Sequence, residues 1–234
     1  FFWSPKVFAL GDFFWYNIEM IRIVHISDTH NNTTKSIPEC DILIHSGDLG
    51  IMGDLQEIRR GLHWLKDQPA KHKILVPGNH DVCFDDEHLD GLDSEEVLEL
   101  LQTIPKEFGI NILLNSSIEL EGLTLTGCSL QPPFMGWAFG ADSSMRAQVY
   151  KNLLSNNPDI LITHCPPNGI LDTNADRIPI HIGCPMLRTL LVHQLDRPEN
   201  KLKLHCFGHV HESSGVLIDK NKMIYSNAAC RVNF

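Results

Sequence analysis

Five short stretches of this chain end an apolar run in side chains that bind cations or move protons. They are Ile26-Ser27-Asp28-Thr29-His30, Ile44-His45-Ser46-Gly47-Asp48, Val76-Pro77-Gly78-Asn79-His80-Asp81, Ile162-Thr163-His164 and Phe207-Gly208-His209-Val210-His211. A single Pro-Gly-Asn turn after a strand is usually only a turn. Five strand ends that all deliver oxygen and nitrogen donors are different, because each such group left unpaired in a protein interior is costly. The residues collected are Asp28, His30, Asp48, Asn79, His80, His164, His209 and His211. Carboxylate, imidazole and one amide without cysteine suit Mn²⁺, Fe²⁺, Zn²⁺ or Ni²⁺ better than a thiolate zinc site or an all-oxygen calcium site. The donors outnumber what one tetrahedral ion takes. They suffice for two ions sharing a bridging carboxylate, the arrangement that holds metals roughly 3.5 to 4 Å apart in phosphatases and nucleases. His25, His45 and His205 lie within the apolar runs and are expected to be structural.

The elements that must position these residues follow from periodicity. Residues 21 to 26 form a strand, and extended backbone would turn Asp28 and His30, at i and i+2, to one side. Residues 41 to 45 form a second strand. Leu55, Ile58, Leu62 and Leu65 recur at helical spacing between Asp54 and Lys66, and a strand over 73 to 76 completes a β-α-β unit. A helix is expected from Asp93, its cap, to Ile104, ended by Pro105. Short β-rich pieces at 111–114, 118–120 and 123–128 read as an antiparallel meander. The aromatic stretch 131–140 (QPPFMGWAFG) is either a packed surface loop or an apolar wall beside a substrate. Asp142 or Ser143 caps a helix to Leu154 with Met145, Val149 and Leu153 on one face, and a strand over 159–163 follows. A long loop, 168 to 183, carries Asp172, Arg177 and His181, and a helix opens at Pro185 through Leu187, Leu190 and Leu191. A strand over 203–207 and a hairpin of 216–218 with 223–225 complete a single domain from Met20 onward.

Composition bounds the rest. Of 234 residues, 43% are hydrophobic, and 19 basic against 29 acidic residues give a formal charge of −10, which disfavours a polynucleotide or an anionic membrane as partner. Seven cysteines without a Cys-x-x-Cys pair argue against a disulfide framework and for a reducing, cytoplasmic setting. Residues 1 to 19 hold eight of the eighteen aromatics but lack a basic n-region, a cleavage site and the length of a membrane span. They read as an upstream-translated or expression-derived leader, with a partner-binding or membrane-touching extension as the alternative.

The ordered set Asp28-x-His30, Gly47-Asp48, Gly78-Asn79-His80-Asp81, His164 and Gly208-His209-x-His211 resembles the calcineurin-like metallophosphoesterase superfamily over residues 20 to 230. Ile26 to His30, Thr163-His164-Cys165-Pro166-Pro167, Gly136-Trp137 and Ser226-Asn227-Ala228-Ala229-Cys230 are similar to the metallophosphoesterase-domain-containing proteins, relatives of class III cyclic-nucleotide phosphodiesterases. The resemblance implies an α/β (α+β) fold, a four-layer αββα sandwich of two mixed sheets flanked by helices. It implies one metal on Asp28, His30 and His211, a second on Asn79, His164 and His209, and Asp48 bridging. Hydroxide between the metals would attack phosphorus, His80 would protonate the leaving oxygen, and Asp81 would orient His80 or else cap the turn. The expected function is hydrolysis of small phosphodiesters such as cyclic nucleotides, with Mn²⁺ favoured in vitro. The expected assembly is a possible homodimer without membrane span. Alternatives are a phosphomonoesterase or protein phosphatase, or a metal-binding scaffold with vestigial activity.

Overall fold

A computed structural model of the chain describes residues 7–10, 13–18, 21–34, 36–88, 94–175 and 178–230. Asp93, Arg177 and Met20, each singled out above, lie outside the described residues. The first half runs β1 (Val7–Leu10), β2 (Phe13–Ile18), β3 (Ile21–Ile26), β4 (Cys40–His45), α1 (Leu55–Lys66), β5 (Ala70–Leu75), α2 (Ser94–Glu107) and β6 (Ile110–Ile112). The second runs β7 (Ser116–Leu120), β8 (Leu123–Cys128), α3 (Ser143–Ser155), β9 (Ile160–Thr163), α4 (Pro185–Leu195), β10 (Leu204–Phe207), β11 (Gly215–Ile218) and β12 (Ile224–Asn227). The strands form two six-stranded sheets, ordered β1-β2-β3-β4-β5-β6 and β11-β12-β10-β9-β8-β7. Both are mixed: β3 through β6 and β8-β9-β10-β12 are parallel, with antiparallel pairs at the edges. Within the segment expected to be a leader, β1 and β2 pair antiparallel and β2 pairs with β3 at the edge of the first sheet, with Trp15 opposite Val24 in the register.

Strand alternation builds the layers. Ile23, Ile42, Ile44 and Ile74 face the second sheet, where Leu125, Ile160, Ile162, Leu204 and Ile224 meet them. The opposite faces carry Val24, Ile26, Leu43 and Leu75, covered by Ile58, Leu62 and Leu65 of α1 and Val97, Leu100 and Ile104 of α2. Leu161, Phe207 and Tyr225 pack likewise under Tyr150, Leu153, Leu187 and Leu191 of α3 and α4. The result is the four-layer αββα sandwich. Each of these side chains is worth about 1.5–3 kcal/mol when fully buried, so both faces of each sheet hold it in place.

Two helices depart from expectation. α2 passes through Pro105 and ends at Glu107. Proline removes one backbone donor, but so near the helix end the turn still closes through Phe108 N–H to the Ile104 carbonyl at 3.0 Å. In α3 the Asp142 cap holds the Ser144 and Met145 N–H groups, yet the buried face is Arg146, Tyr150, Leu153 and Leu154, while Met145 is exposed. The piece expected over 111–114 in an antiparallel meander is β6, which runs parallel to β5 in the first sheet, while β7 and β8 pair antiparallel in the second. No described helix is long and apolar enough to cross a membrane.

Candidate metal centre

The five donor-bearing turns leave the carboxyl ends of β3, β4 and β5 in the first sheet and of β9 and β10 in the second, all parallel strands. Such strand ends are where open α/β sheets collect ligands. Backbone bonds weld the turns together. Asp28 N–H donates to the Gly47 carbonyl at 2.8 Å, His30 N–H to that of Asp48 at 3.1 Å, and Gly208 N–H to that of His164 at 2.9 Å.

The alternation expected to align Asp28 and His30 does not operate, because β3 ends at Ile26 and both residues adopt left-handed backbone, φ 53° and 44°. Asp48 (57°) and His209 (70°) do the same. Left-handed backbone at a residue other than glycine costs roughly 1–3 kcal/mol, and a cluster of it points to a site whose geometry the surrounding structure enforces. The close approach also requires two glycines. A Cβ on Gly78 would lie 2.3 Å from Asp48 Oδ1, and one on Gly208 would lie 2.1 Å from Asp28 Oδ2.

Two triads result. Asp28, His30 and His211 each offer a donor atom within 4.8 Å of one another, and Asp48, His164 and His209 do the same. Asp48 Oδ2 stands 3.3 Å from His164 Nε2 and 3.9 Å from His30 Nε2, between the two groups. Asn79 Oδ1 lies 3.0 Å from His164 Nε2, on the side of the second triad. Only a protonated ring nitrogen can bond a carbonyl. His30 Nδ1 on Gly50 (3.0 Å) and His164 Nδ1 on Ser46 (2.8 Å) therefore carry hydrogen, and their Nε2 atoms face the centre. His80 Nδ1 is likewise tied to the Ile51 carbonyl at 2.5 Å, while its backbone N–H donates to Asp48 Oδ1 at 2.8 Å.

The electrostatics suit cations. Asp28 and Asp48 are buried, and among the described residues they pair with imidazoles and backbone N–H groups, not with Lys or Arg. Burial opposes their ionisation, but the His211 hydrogen bond to Asp28 and the His164 charge beside Asp48 hold both carboxyls below the usual range. Burial also disfavours a charged His164, yet Asp48 lifts it to about 9; burial together with His164 pushes His209 down to about 4. A buried pocket of carboxylate oxygens and imidazole nitrogens is the donor set that borderline divalent ions select, an incoming cation taking the place of the proton on His164.

Asp81 has turn-holding contacts. Its Oδ1 accepts from Gly50 N–H (3.0 Å) and its Oδ2 from Gly78 N–H (2.8 Å), tying the turns after β4 and β5 together. Burial and the Asp48 charge raise its pKa to about 7. The orienting contact expected between Asp81 and the His80 ring is replaced by the Ile51 carbonyl. His25 lies between Ser226 Oγ (2.8 Å) and Ser46 Oγ (2.9 Å), His45 bonds Thr29 (2.9 Å), and His205 bonds Thr163 (2.9 Å), the structural roles their positions suggested.

Two features of the site escape sequence reading. Glu57 Oε2 accepts the N–H groups of Ile51, Met52 and Gly53, holding the turn behind His80; the only advance sign was its place three residues after the helix cap Asp54. The carbonyls of Ser46, Gly50 and Ile51, which aim the imidazoles, leave no trace in side-chain pattern.

A family model described as calcineurin-like phosphoesterase matches residues 21–213. Human Metallophosphoesterase domain-containing protein 1 is 31% identical over 225 residues, covering 91% of this chain and 67% of the relative. The UPF0046 protein K07C11.7 of Caenorhabditis elegans is 31% identical over 218 residues, covering 90% and 70%. Among solved structures, the Phosphopantetheinyl Hydrolase of Mycobacterium tuberculosis has a TM-score of 0.56 at 15% identity over 88% of each chain, a likeness of fold.

Proposed function

This chain belongs to the calcineurin-like phosphoesterase family of phosphoric ester hydrolases, and from that premise we propose that it is a dinuclear metal-dependent phosphodiesterase for small phosphodiesters such as cyclic nucleotides. The observation that carries this reading is the pair of donor triads with Asp48 Oδ2 between them. Asp28, His30 and His211 would hold one divalent ion, and His164, His209 and Asn79 the other, with Asp48 shared. Mn²⁺ is the ion for the test, with Fe²⁺, Zn²⁺ and Ni²⁺ as the other candidates. When bound, two such ions neutralise phosphate oxygens and acidify water toward a nucleophile at neutral pH.

The chain's own residues supply the remainder. His80, with Nδ1 fixed on Ile51, presents Nε2, and in its doubly protonated form it hands that proton to the leaving oxygen. Asp81 acts at one remove by keeping the Gly50 and Gly78 turns in register. Residues 47–53 and 131–140 contain no lysine or arginine to meet the second negative charge of a monoester, which favours the singly charged diester. Buried free thiols at Cys40, Cys83, Cys128, Cys165, Cys184 and Cys206 support a reducing, cytoplasmic setting.

The test compares hydrolysis of bis(p-nitrophenyl) phosphate and p-nitrophenyl phosphate by the Mn²⁺-loaded protein, with His80→Ala as control. Faster diester cleavage that collapses in the variant is the expected result. Preference for the monoester would make the protein a phosphatase, and turnover no better than free Mn²⁺ would make it a metal-binding scaffold.

A further inference from the structure

Two stretches meet over His80, and together they expose apolar surface at the place where substrate must enter. Trp137 lies tilted against His80 with ring centroids 4.1 Å apart, and Phe134 stands edge-on to His209 at 5.6 Å. From the β4 turn, Ile51 bonds the same His80 ring through its carbonyl. Ile51, Met52, Phe134 and Met135 are 40%, 63%, 44% and 83% exposed. Scattered apolar side chains on a surface need no explanation, but a group of them around a reactive centre marks a binding region.

The wall is held rigidly. Phe139 N–H donates to Asp85 Oδ2 at 2.5 Å, His88 bonds the Gly136 carbonyl at 2.9 Å, and Gln131 exchanges bonds with Phe139 and Ala141, both at 3.0 Å. Glu57 fixes the opposite turn through three N–H groups. These exposed side chains are therefore presented, not left over from a loop that folds elsewhere. Charge narrows the ligand further. Residues 49–53 and 131–140 contain no ionisable side chain, and Asp85, which grips the wall, is acidic. An anionic group would find no lysine or arginine among these residues to pair with. The leaving oxygen must reach the His80 ring, and Trp137 is the side chain packed against that ring, with the β4 turn tied to its other nitrogen through the Ile51 carbonyl. A half-buried Trp137 ring and an exposed Phe134 ring, flanked by the adaptable thioethers of Met52 and Met135, suit a flat group best.

We propose that Ile51, Met52, Phe134, Met135 and Trp137 form a subsite for an uncharged aromatic ester group of the substrate; this rests on the phosphodiesterase reading above. The experiment is calorimetric titration of the Mn²⁺-loaded protein with phenylphosphonate, methylphosphonate and 4-carboxyphenylphosphonate, which requires no turnover. Phenylphosphonate should bind about tenfold more tightly than methylphosphonate, as burial of one ring warrants, and the carboxyphenyl compound should bind less tightly than phenyl. In the Phe134→Ala/Met135→Ser double variant, whose changes fall on exposed positions, the phenyl-to-methyl ratio should drop below about threefold. Equal binding of phenyl and methyl by the unaltered protein, or an unchanged ratio in the variant, overturns the subsite. Binding of neither phosphonate overturns both the subsite and the hydrolase reading. A phenyl preference in a protein that hydrolyses no ester supports the subsite and sinks only the hydrolase reading.

Discussion

Two buried carboxylates and their imidazole partners dominate at the scale of single residues. Asp48 is the most exacting position, because its two oxygens serve three neighbours: His80 N–H on one, and His30 and His164 on the other. Asp48→Asn keeps the shape but removes the charge, and we expect kcat to fall about 100-fold or more with the fold intact by circular dichroism. His205 offers a test of stability that leaves catalysis aside. It is fully buried, and burial pushes its pKa down to about 3. Its Nε2 bonds Thr163, whose hydroxyl donates to the Cys165 carbonyl, and its Nδ1 has no hydrogen-bond partner among the described residues. A histidine with a folded pKa below its ordinary value of 6.5 contributes stability that is fully present above pH 6.5 and drains away as pH falls toward 3, by up to about 1.4 kcal/mol per pH unit. His205→Phe should therefore lose less melting temperature between pH 8 and pH 5 than the unaltered protein. An identical loss in the two proteins would show that the residue does not titrate this way.

Among the elements, turns matter more than strands. The turn after β10 reaches Asp28 only because Gly208 lacks a side chain: a methyl group there would sit 2.0 Å from Ser27 Oγ. Gly208→Ala should separate the triads, lowering turnover at least about tenfold and weakening Mn²⁺ binding in calorimetry. The aromatic stretch carries a second prediction. His88 donates from Nδ1 to Asp85 (3.0 Å) and from Nε2 to the Gly136 carbonyl (2.9 Å), which takes both ring protons, and the Gly136 bond with the Asp85 charge raises its pKa. A latch with a raised pKa is fully present below about pH 6.5 and is lost as pH rises through the folded value. Hydrogen exchange of the 134–140 segment, corrected for its intrinsic pH dependence, should accelerate above that value, and His88→Gln should remove the step. These turns also mark the limit of what the sequence conveyed. The strand ends, their order and their donors could be read from apolar runs stopping at Asp, Asn and His. The left-handed backbone at Asp28, His30, Asp48 and His209 could not, because backbone contacts between strands far apart in sequence impose it. Likewise α3 presents Arg146 and Tyr150 inward instead of Met145, since Arg146 finds the Ala141 carbonyl and the Cys184 sulfur there, partners that no helical periodicity announces.

For the molecule as a whole, the centre is the place where the two sheets are joined by side chains and not only by apolar packing. Chelation should lower the melting temperature as well as abolish turnover, since ions at 100 times their dissociation constant contribute about 2.7 kcal/mol to the folded state. A melting temperature indifferent to Mn²⁺ would mean that no ion binds the folded protein preferentially. The β-α-β order was legible in the periodicity, whereas the four-layer architecture was implied by the resemblance of the donor motifs to the calcineurin-like family, which the match of residues 21–213 bears out. The pairing of β2 with β3, and of β1 with β2, was not legible, because aromatic-rich strands on a sheet edge carry no signal distinguishing them from a loose extension. The donors lie far apart along the chain: His209 N–H bonds Asp28 across 181 positions. During synthesis the amino-terminal half therefore emerges from the ribosome carrying only Asp28, His30 and Asp48 of the two triads. If the triads hold ions as proposed, capture at full strength has to wait until His209 and His211, beyond β10, have been translated.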